Sequence, residues 1–269
     1  MREMVLRVPA RALDEVLDRI LPIVPDGVRE LPLPPLQVEL RMRGPQLPPL
    51  TMIARALAPL PFQISEHEVS DDWRERRLAE YRAEPIGGRL VVRPPWAPAP
   101  AGGLMDIVLA EGSAFGVGTH PTTRTCLELL LDLPAAGSFA DLGCGSGVLA
   151  ILAARLGWAP VTAVDVQPAS VVAAGDNAAA NGVEIEVGAR DLSRDLAPGA
   201  MGFAANVPAE VHVAVAAGWE GAAVPAVGLV SGFGPAQAQL VLDAYAAIGL
   251  REAARHVAHG WVVAVVTRD

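Results

Sequence analysis

No stretch of this chain constrains its fold more than Asp141-Leu142-Gly143-Cys144-Gly145-Ser146-Gly147. An apolar run, Ser138 to Leu142, leads into it and reads as a short strand; Val148 to Leu156 leaves it and reads as a helix. Glycines there let the backbone approach a ligand without Cβ obstruction, and the start of a helix offers unpaired N–H groups. Glycine loops also serve as plain tight turns, so the loop needs support from elsewhere. Ala163-Val164-Asp165 supplies it, closing a second predicted strand about twenty residues on, where a carboxylate can take both hydroxyls of a ribose.

Around this loop the pattern alternates. Strands are predicted at Pro160 to Val166, Ile185 to Val187, Gly202 to Val207, Val227 to Ser231 and Trp261 to Thr267, with helices at Ser170 to Asn181 and Gln237 to Ile248. Such alternation predicts an α/β, doubly wound Rossmann-like sheet. The first seventy residues read differently. Met4 to Val8 suits a strand, and Arg11 to Val24 places Leu13, Val16, Leu17, Ile20 and Leu21 at helical spacing. A strand near Gly27 to Pro34, an alternating Leu36 to Leu40, a helix at Leu50 to Leu60 and an alternating Phe62 to Val69 complete a βαββαβ order. That order predicts a ferredoxin-like α+β module. Between the two, residues 71–100 turn charged and then proline-rich, ending in Pro94-Pro95-Trp96-Ala97-Pro98-Ala99-Pro100, which cannot be a regular helix. The expected division is therefore 1–70, a linker of helical and proline-rich character at 71–100, and 101–269.

Composition excludes several function classes. The 269 residues hold no lysine, so lysine Schiff bases, P-loop lysines and lysine general bases are absent. Cys126 and Cys144 show no metal or redox spacing, and the five histidines are scattered, so no metal site is expected. A net charge of −9 argues against direct nucleic-acid binding. No charge-free run reaches the roughly 18 apolar residues of a membrane span, and Met1-Arg2-Glu3-Met4 lacks the start of a signal peptide. A soluble cytoplasmic protein is the expectation.

The loop is Gly-x-Gly-x-Gly after Asp141-Leu142, where dinucleotide folds carry Gly-x-Gly-x-x-Gly. That form resembles class I S-adenosylmethionine-dependent methyltransferases. Further motifs narrow the resemblance: Ala114-Phe115-Gly116-Val117-Gly118-Thr119-His120-Pro121-Thr122-Thr123, Asp71-Asp72-Trp73, the run Ile86 to Trp96, Ala205-Asn206, and the tail from Ser231-Gly232 to Gly260-Trp261. Together they resemble the PrmA family, the methyltransferases of ribosomal protein L11, across nearly the whole chain. The resemblance implies S-adenosylmethionine as cofactor, with Thr123, Gly143, Gly145, Asp165 and Asn206 in its pocket. It also implies Asn206 facing the transferred methyl, and substrate capture by the N-terminal module. The implied reaction methylates amino groups, on lysine side chains or an N-terminal amine, of a ribosomal protein. His120 could bond the cofactor or shape the amine channel, or be a turn residue. Asp191 could meet the adenine amine or be a solvated loop acid.

Departures from the family pattern cluster on the acceptor side and the linker. Val117 replaces a threonine, Val207-Pro208 follows Asn206 in place of a bulky or aromatic pair, and Gly202-Phe203 lacks an upstream acid. Arg77 replaces a tryptophan, and Ala110-Glu111 an Asp-Pro pair. Methylation of another protein or of a small molecule, or donor binding without catalysis, are the alternatives. Methylation of a flipped base lacks an aromatic in Asn206-Val207-Pro208-Ala209 to stack on.

Overall fold

Strand β1 (Arg2–Pro9) alternates from Met4 on, with Met4, Leu6 and Val8 buried and Arg7 exposed between the last two. The computed structural model describes residues 2–24, 28–33, 36–44, 47–68, 85–110, 120–219, 224–258 and 260–268. Two compact units divide between Arg82 and Ala83. In the first, β1 is followed by α1 (Leu13–Ile20), β2 (Arg29–Leu33), β3 (Gln37–Gly44), α2 (Leu50–Leu57) and β4 (Gln63–Glu68). The strands form one sheet in the order β2-β3-β1-β4, every neighbour antiparallel. Val16 and Ile20 of α1 and Ile53 and Leu57 of α2 bury one face against Met4, Leu6, Leu40 and Met42. On the other face Glu39 is nearly inaccessible, and its carboxylate accepts from Arg7 (2.9 Å) and Arg41 (2.6 Å). Those two guanidinium bonds hold the carboxyl below its ordinary range. Helix α2 stops at Leu57, short of the predicted Leu60, because Ala58 turns to extended backbone ahead of Pro59.

The second unit begins at Ala83, well before the expected residue 101. Within residues 85–93, Ile86, Leu90 and Val91 are buried, and β5 (Leu90–Arg93) pairs in parallel with β6 (Met105–Val108). Arg93 forms a bidentate pair with Asp106 at 2.8 Å and donates to the Ala97 carbonyl. It thereby ties the proline-rich stretch to this sheet.

The main sheet takes β7 (Phe139–Leu142), β8 (Val161–Asp165), β9 (Glu186–Ala189), β10 (Gly202–Asn206), β11 (Val227–Phe233), β12 (Leu250–Ala258) and β13 (Trp261–Arg268). Their spatial order is β12-β13-β11-β10-β7-β8-β9, parallel except that β13 runs antiparallel to both neighbours. Five of these strands lie close to their predicted positions. β11 runs two residues past the predicted Ser231, and β12 was not predicted. β12 is an edge strand carrying Arg251, Glu252, Arg255 and His256. A strand packed on one side only keeps a polar pattern that resembles a loop.

Helices α3 (Pro121–Leu130), α4 (Val148–Arg155) and α5 (Pro168–Ala180) cover one face, burying Cys126, Leu127, Ile151, Leu152 and Ala178 on Phe139, Ala163, Ala204 and Leu229. Helices α6 (Ala209–Gly218) and α7 (Pro235–Ala247) cover the other, over Ala140, Leu142, Phe203, Ala205 and Val230. Residue-by-residue alternation between the two faces is why the central strands read as continuous apolar runs. Chain order reverses between β7 and β10, which places a crevice at their carboxyl ends. Among the described residues, no helix is long and apolar enough to cross a membrane.

Candidate active site

The seven-residue loop follows β7 and enters α4. Gly143, Gly145 and Gly147 have φ of 76°, 51° and 78°, values that a Cβ strains. Gly143 N–H (2.8 Å) and Cys144 N–H (3.0 Å) donate to the Val164 carbonyl, and Gly147 N–H donates to Cys144 (2.8 Å). Asp165, at the end of β8, locks the middle of the loop. Its Oδ2 accepts the Gly145 N–H and its Oδ1 the Gln167 N–H, both at 2.9 Å. Each oxygen keeps lone-pair capacity for a second donor. The next residue, Val166, is 61% exposed although apolar.

Beneath the loop lies Asp141. It is buried, and its Oδ2 accepts the Ala150 N–H at 3.0 Å. Desolvation, helped by the nearby Asp165 charge, pushes its carboxyl up to about 7. The same burial pushes the Cys126 thiol up to about 12 and raises Cys144, so neither is a ready nucleophile.

Across the crevice stand the carboxyl end of β10 and the first turn of α3. Asn206 Nδ2 donates to Thr122 Oγ1 at 3.2 Å, and Thr122 Oγ1 lies 2.7 Å from His120 Nδ1. His120 caps α3, accepting the Thr122 N–H, and its ring stands edge-on to Trp261 with centroids 5.5 Å apart. Burial lowers its imidazole to about 4, so Nδ1 accepts the Thr122 hydroxyl and leaves that oxygen's lone pair to Asn206. Thr123, beside it, is 1% exposed, and its Oγ1 has no hydrogen-bond partner among the described residues.

Two further residues shape this side: Val207, already marked as a departure from the family pattern, and His212, which no motif marks. Val207 presses its Cγ1 toward Gly143, where a Cβ would come within 2.3 Å of it. His212, fully buried on α6, takes the Tyr245 hydroxyl on Nδ1 (2.9 Å) and donates Nε2–H to the Ser231 carbonyl (2.8 Å), which also accepts the Val207 N–H. The only trace of that role in the sequence is a histidine in an otherwise apolar helical run. Asp191 accepts from the N–H and hydroxyl of Ser193, which hold its carboxyl low, and it neighbours Arg194 at 3.6 Å. Those bonds close a local turn. The motif residues Asp71-Asp72-Trp73, Arg77 and Ala114 to Thr119 lie outside the described residues. No group of three or more potential metal ligands occurs among the described residues.

The family profile described as ribosomal protein L11 methyltransferase (PrmA) matches residues 52–269. The chain belongs to that family. Relatives named ribosomal protein L11 methyltransferase include one from Geobacter sulfurreducens, 42% identical over 161 residues, covering 59% of this chain and 53% of the relative. Another, from Geobacter metallireducens, is 39% identical over 183 residues, covering 67% and 60%. The matches thus span little more than half the length of these curated relatives. A crystal structure described as a ribosomal protein L11 methylase from Lactobacillus delbrueckii subsp. bulgaricus aligns with a TM-score of 0.60 at 27% identity, over 70% of this chain and all of that one. In this chain Gly143 and Gly145 follow β7, Asp165 ends β8 and Asn206 ends β10.

Proposed function

We propose that this chain is an S-adenosylmethionine-dependent methyltransferase that methylates amino groups of ribosomal protein L11, lysine side chains foremost, in the cytoplasm. The single observation that carries the reading is the convergence of three strand ends at the topological switch point. The β7 loop with its left-handed glycines, Asp165 on β8 and Asn206 on β10 all open on the crevice there. The residues fit the donor: Thr123 offers a buried hydroxyl with no partner among the described residues, Asp165 has free lone pairs for a ribose, and Val166 presents exposed apolar surface for a base. Cofactor contacts are assigned to Thr123, Gly143, Gly145, Asp165 and Asn206. Asp141 is assigned to the cationic amino-acid end of the donor, whose positive charge would favour its ionised form.

Bound there, S-adenosylmethionine supplies a methyl group activated by its sulfonium. The protein's own work is alignment and exclusion of water. Asn206, its Nδ2 committed to Thr122, presents Oδ1 to orient an acceptor N–H. An amine must be neutral to attack, and a lysine amine titrates near 10.4 in water. The apolar walls supplied by Val207 and Pro208 favour the neutral form. No enzyme nucleophile is required. The N-terminal module is assigned to capture of the protein substrate.

The test is transfer of labelled methyl from S-adenosylmethionine to purified ribosomal protein L11 of the same source, alongside the remaining lysate proteins. Label in L11 lysines supports the reading. Label in another protein moves the acceptor, and label only in small molecules removes the protein-methylation half.

A further inference from the structure

The loop that the proposed function assigns to the methyl donor is held from outside by α5. Ala174 lies against the loop's last glycine, where a Cβ on Gly147 would sit 3.0 Å from the Ala174 Cβ. One turn on, Asn177 is 3% exposed and uses both ends of its amide: Nδ2 donates to the Ser146 carbonyl at 2.9 Å, and Oδ1 accepts the Ala110 N–H at 3.0 Å. One turn further, Asn181 accepts the Val108 N–H at 2.9 Å and donates to the Val108 carbonyl at 2.6 Å. Four helical residues rise about 6 Å and two strand residues about 6.6 Å. Asparagines at i and i+4 therefore meet alternate residues of an extended chain, and they stand where a second neighbour of β6 would otherwise run.

We propose that Asn177 is a positioning residue for the donor loop. Its amide fixes the Ser146–Gly147 peptide and ties that peptide to Ala110, the residue that leads into the Glu111–Thr119 segment. Asn181 performs only the strand half of this task, since its amide reaches Val108 and its own helix but not the loop. The two asparagines thus separate loop positioning from strand anchoring within one helix. A buried carbonyl left without its donor is costly, and any shift of the Ser146–Gly147 peptide that relieves it moves the left-handed glycines on either side, Gly145 and Gly147, and with them the shape of the loop. The inference rests on the donor reading above.

The experiment measures S-adenosylhomocysteine affinity by calorimetry on the full chain for the wild type, Asn177→Leu and Asn181→Leu. Expected is a loss of about tenfold or more for Asn177→Leu and less than about threefold for Asn181→Leu, with the melting temperature of each recorded. Equal losses in both variants, or none in Asn177→Leu, overturn the positioning role. If Asn177→Leu does not fold, Asn177→Ser is read by the same criterion. A wild-type chain that binds no S-adenosylhomocysteine sinks the donor reading itself, which is a separate outcome.

Discussion

Asn206 and Thr122, 84 residues apart in the chain, share a hydrogen bond of 3.2 Å from the amide Nδ2 to the hydroxyl Oγ1. The bond joins the carboxyl end of β10 to the first turn of α3 and decides which arm of the Asn206 amide faces the crevice. Asn206→Ala should cut single-turnover methyl transfer on the order of a hundredfold, the cost of misalignment by about 1 Å. Affinity for S-adenosylhomocysteine should fall much less. Normal transfer by the variant would show Asn206 to be a strand-end cap with no part in alignment.

Asp165 serves the loop and, in the proposed function, the ribose. Asp165→Ala should weaken S-adenosylhomocysteine binding by about 1.5–3 kcal/mol, the range for losing hydrogen bonds to a charged group. Asp165→Asn keeps one acceptor for a loop N–H and should fall between. Titration calorimetry reads both, and unchanged affinity in the alanine variant removes Asp165 from the pocket.

Burial of Asp141 leaves a signature in pH. Its carboxyl is raised from 3.8 to about 7 in the fold. Between those values the folded chain holds a proton that the unfolded chain has released. Its contribution to stability is thus present below about pH 4 and is lost as pH rises through about 7. His212, lowered to about 4, acts in the opposite sense over pH 4 to 6.5. The difference between wild type and Asp141→Asn isolates the acid. Relative to that variant, the wild type should lose stability from pH 5 to pH 8 in denaturant titrations, and a flat difference contradicts the buried acid.

Gly143 answers to two constraints at once. Left-handed backbone costs a residue with a Cβ about 1–2 kcal/mol, and a Cβ there meets Val207 Cγ1 at 2.3 Å. Gly143→Ala should lower the melting temperature, and Val207→Ala in the same chain should recover part of the loss. Strict additivity of the two changes would show that the contact carries no energy.

The unit beginning at Ala83 should bind S-adenosylhomocysteine without the N-terminal module. A fragment starting at Leu90 should be less stable, because it lacks Ile86, which is 2% exposed in the core. The fragment from Ala83 should lose methylation of ribosomal protein L11. Undiminished methylation would refute substrate capture by the first seventy residues.

The glycine loop, the acid ending β8, the α/β alternation and the βαββαβ order were legible from sequence because each is a local pattern. Spacing of apolar residues and a left-handed requirement act over a few neighbours. The edge strand β12 was not legible, since its pairing with β13 supplies the bonds while its side chains stay polar. Nor was the start of the larger unit, where Ile86 and Leu90 bury themselves against elements far along the chain. Strand order, the Asn206–Thr122 bond, Val207 against Gly143 and the two-ended amide of Asn177 came only from tertiary structure. Each joins groups from about 30 to more than 80 residues apart. Packing of the two sheet faces decides which of them meet, and no sequence period encodes that.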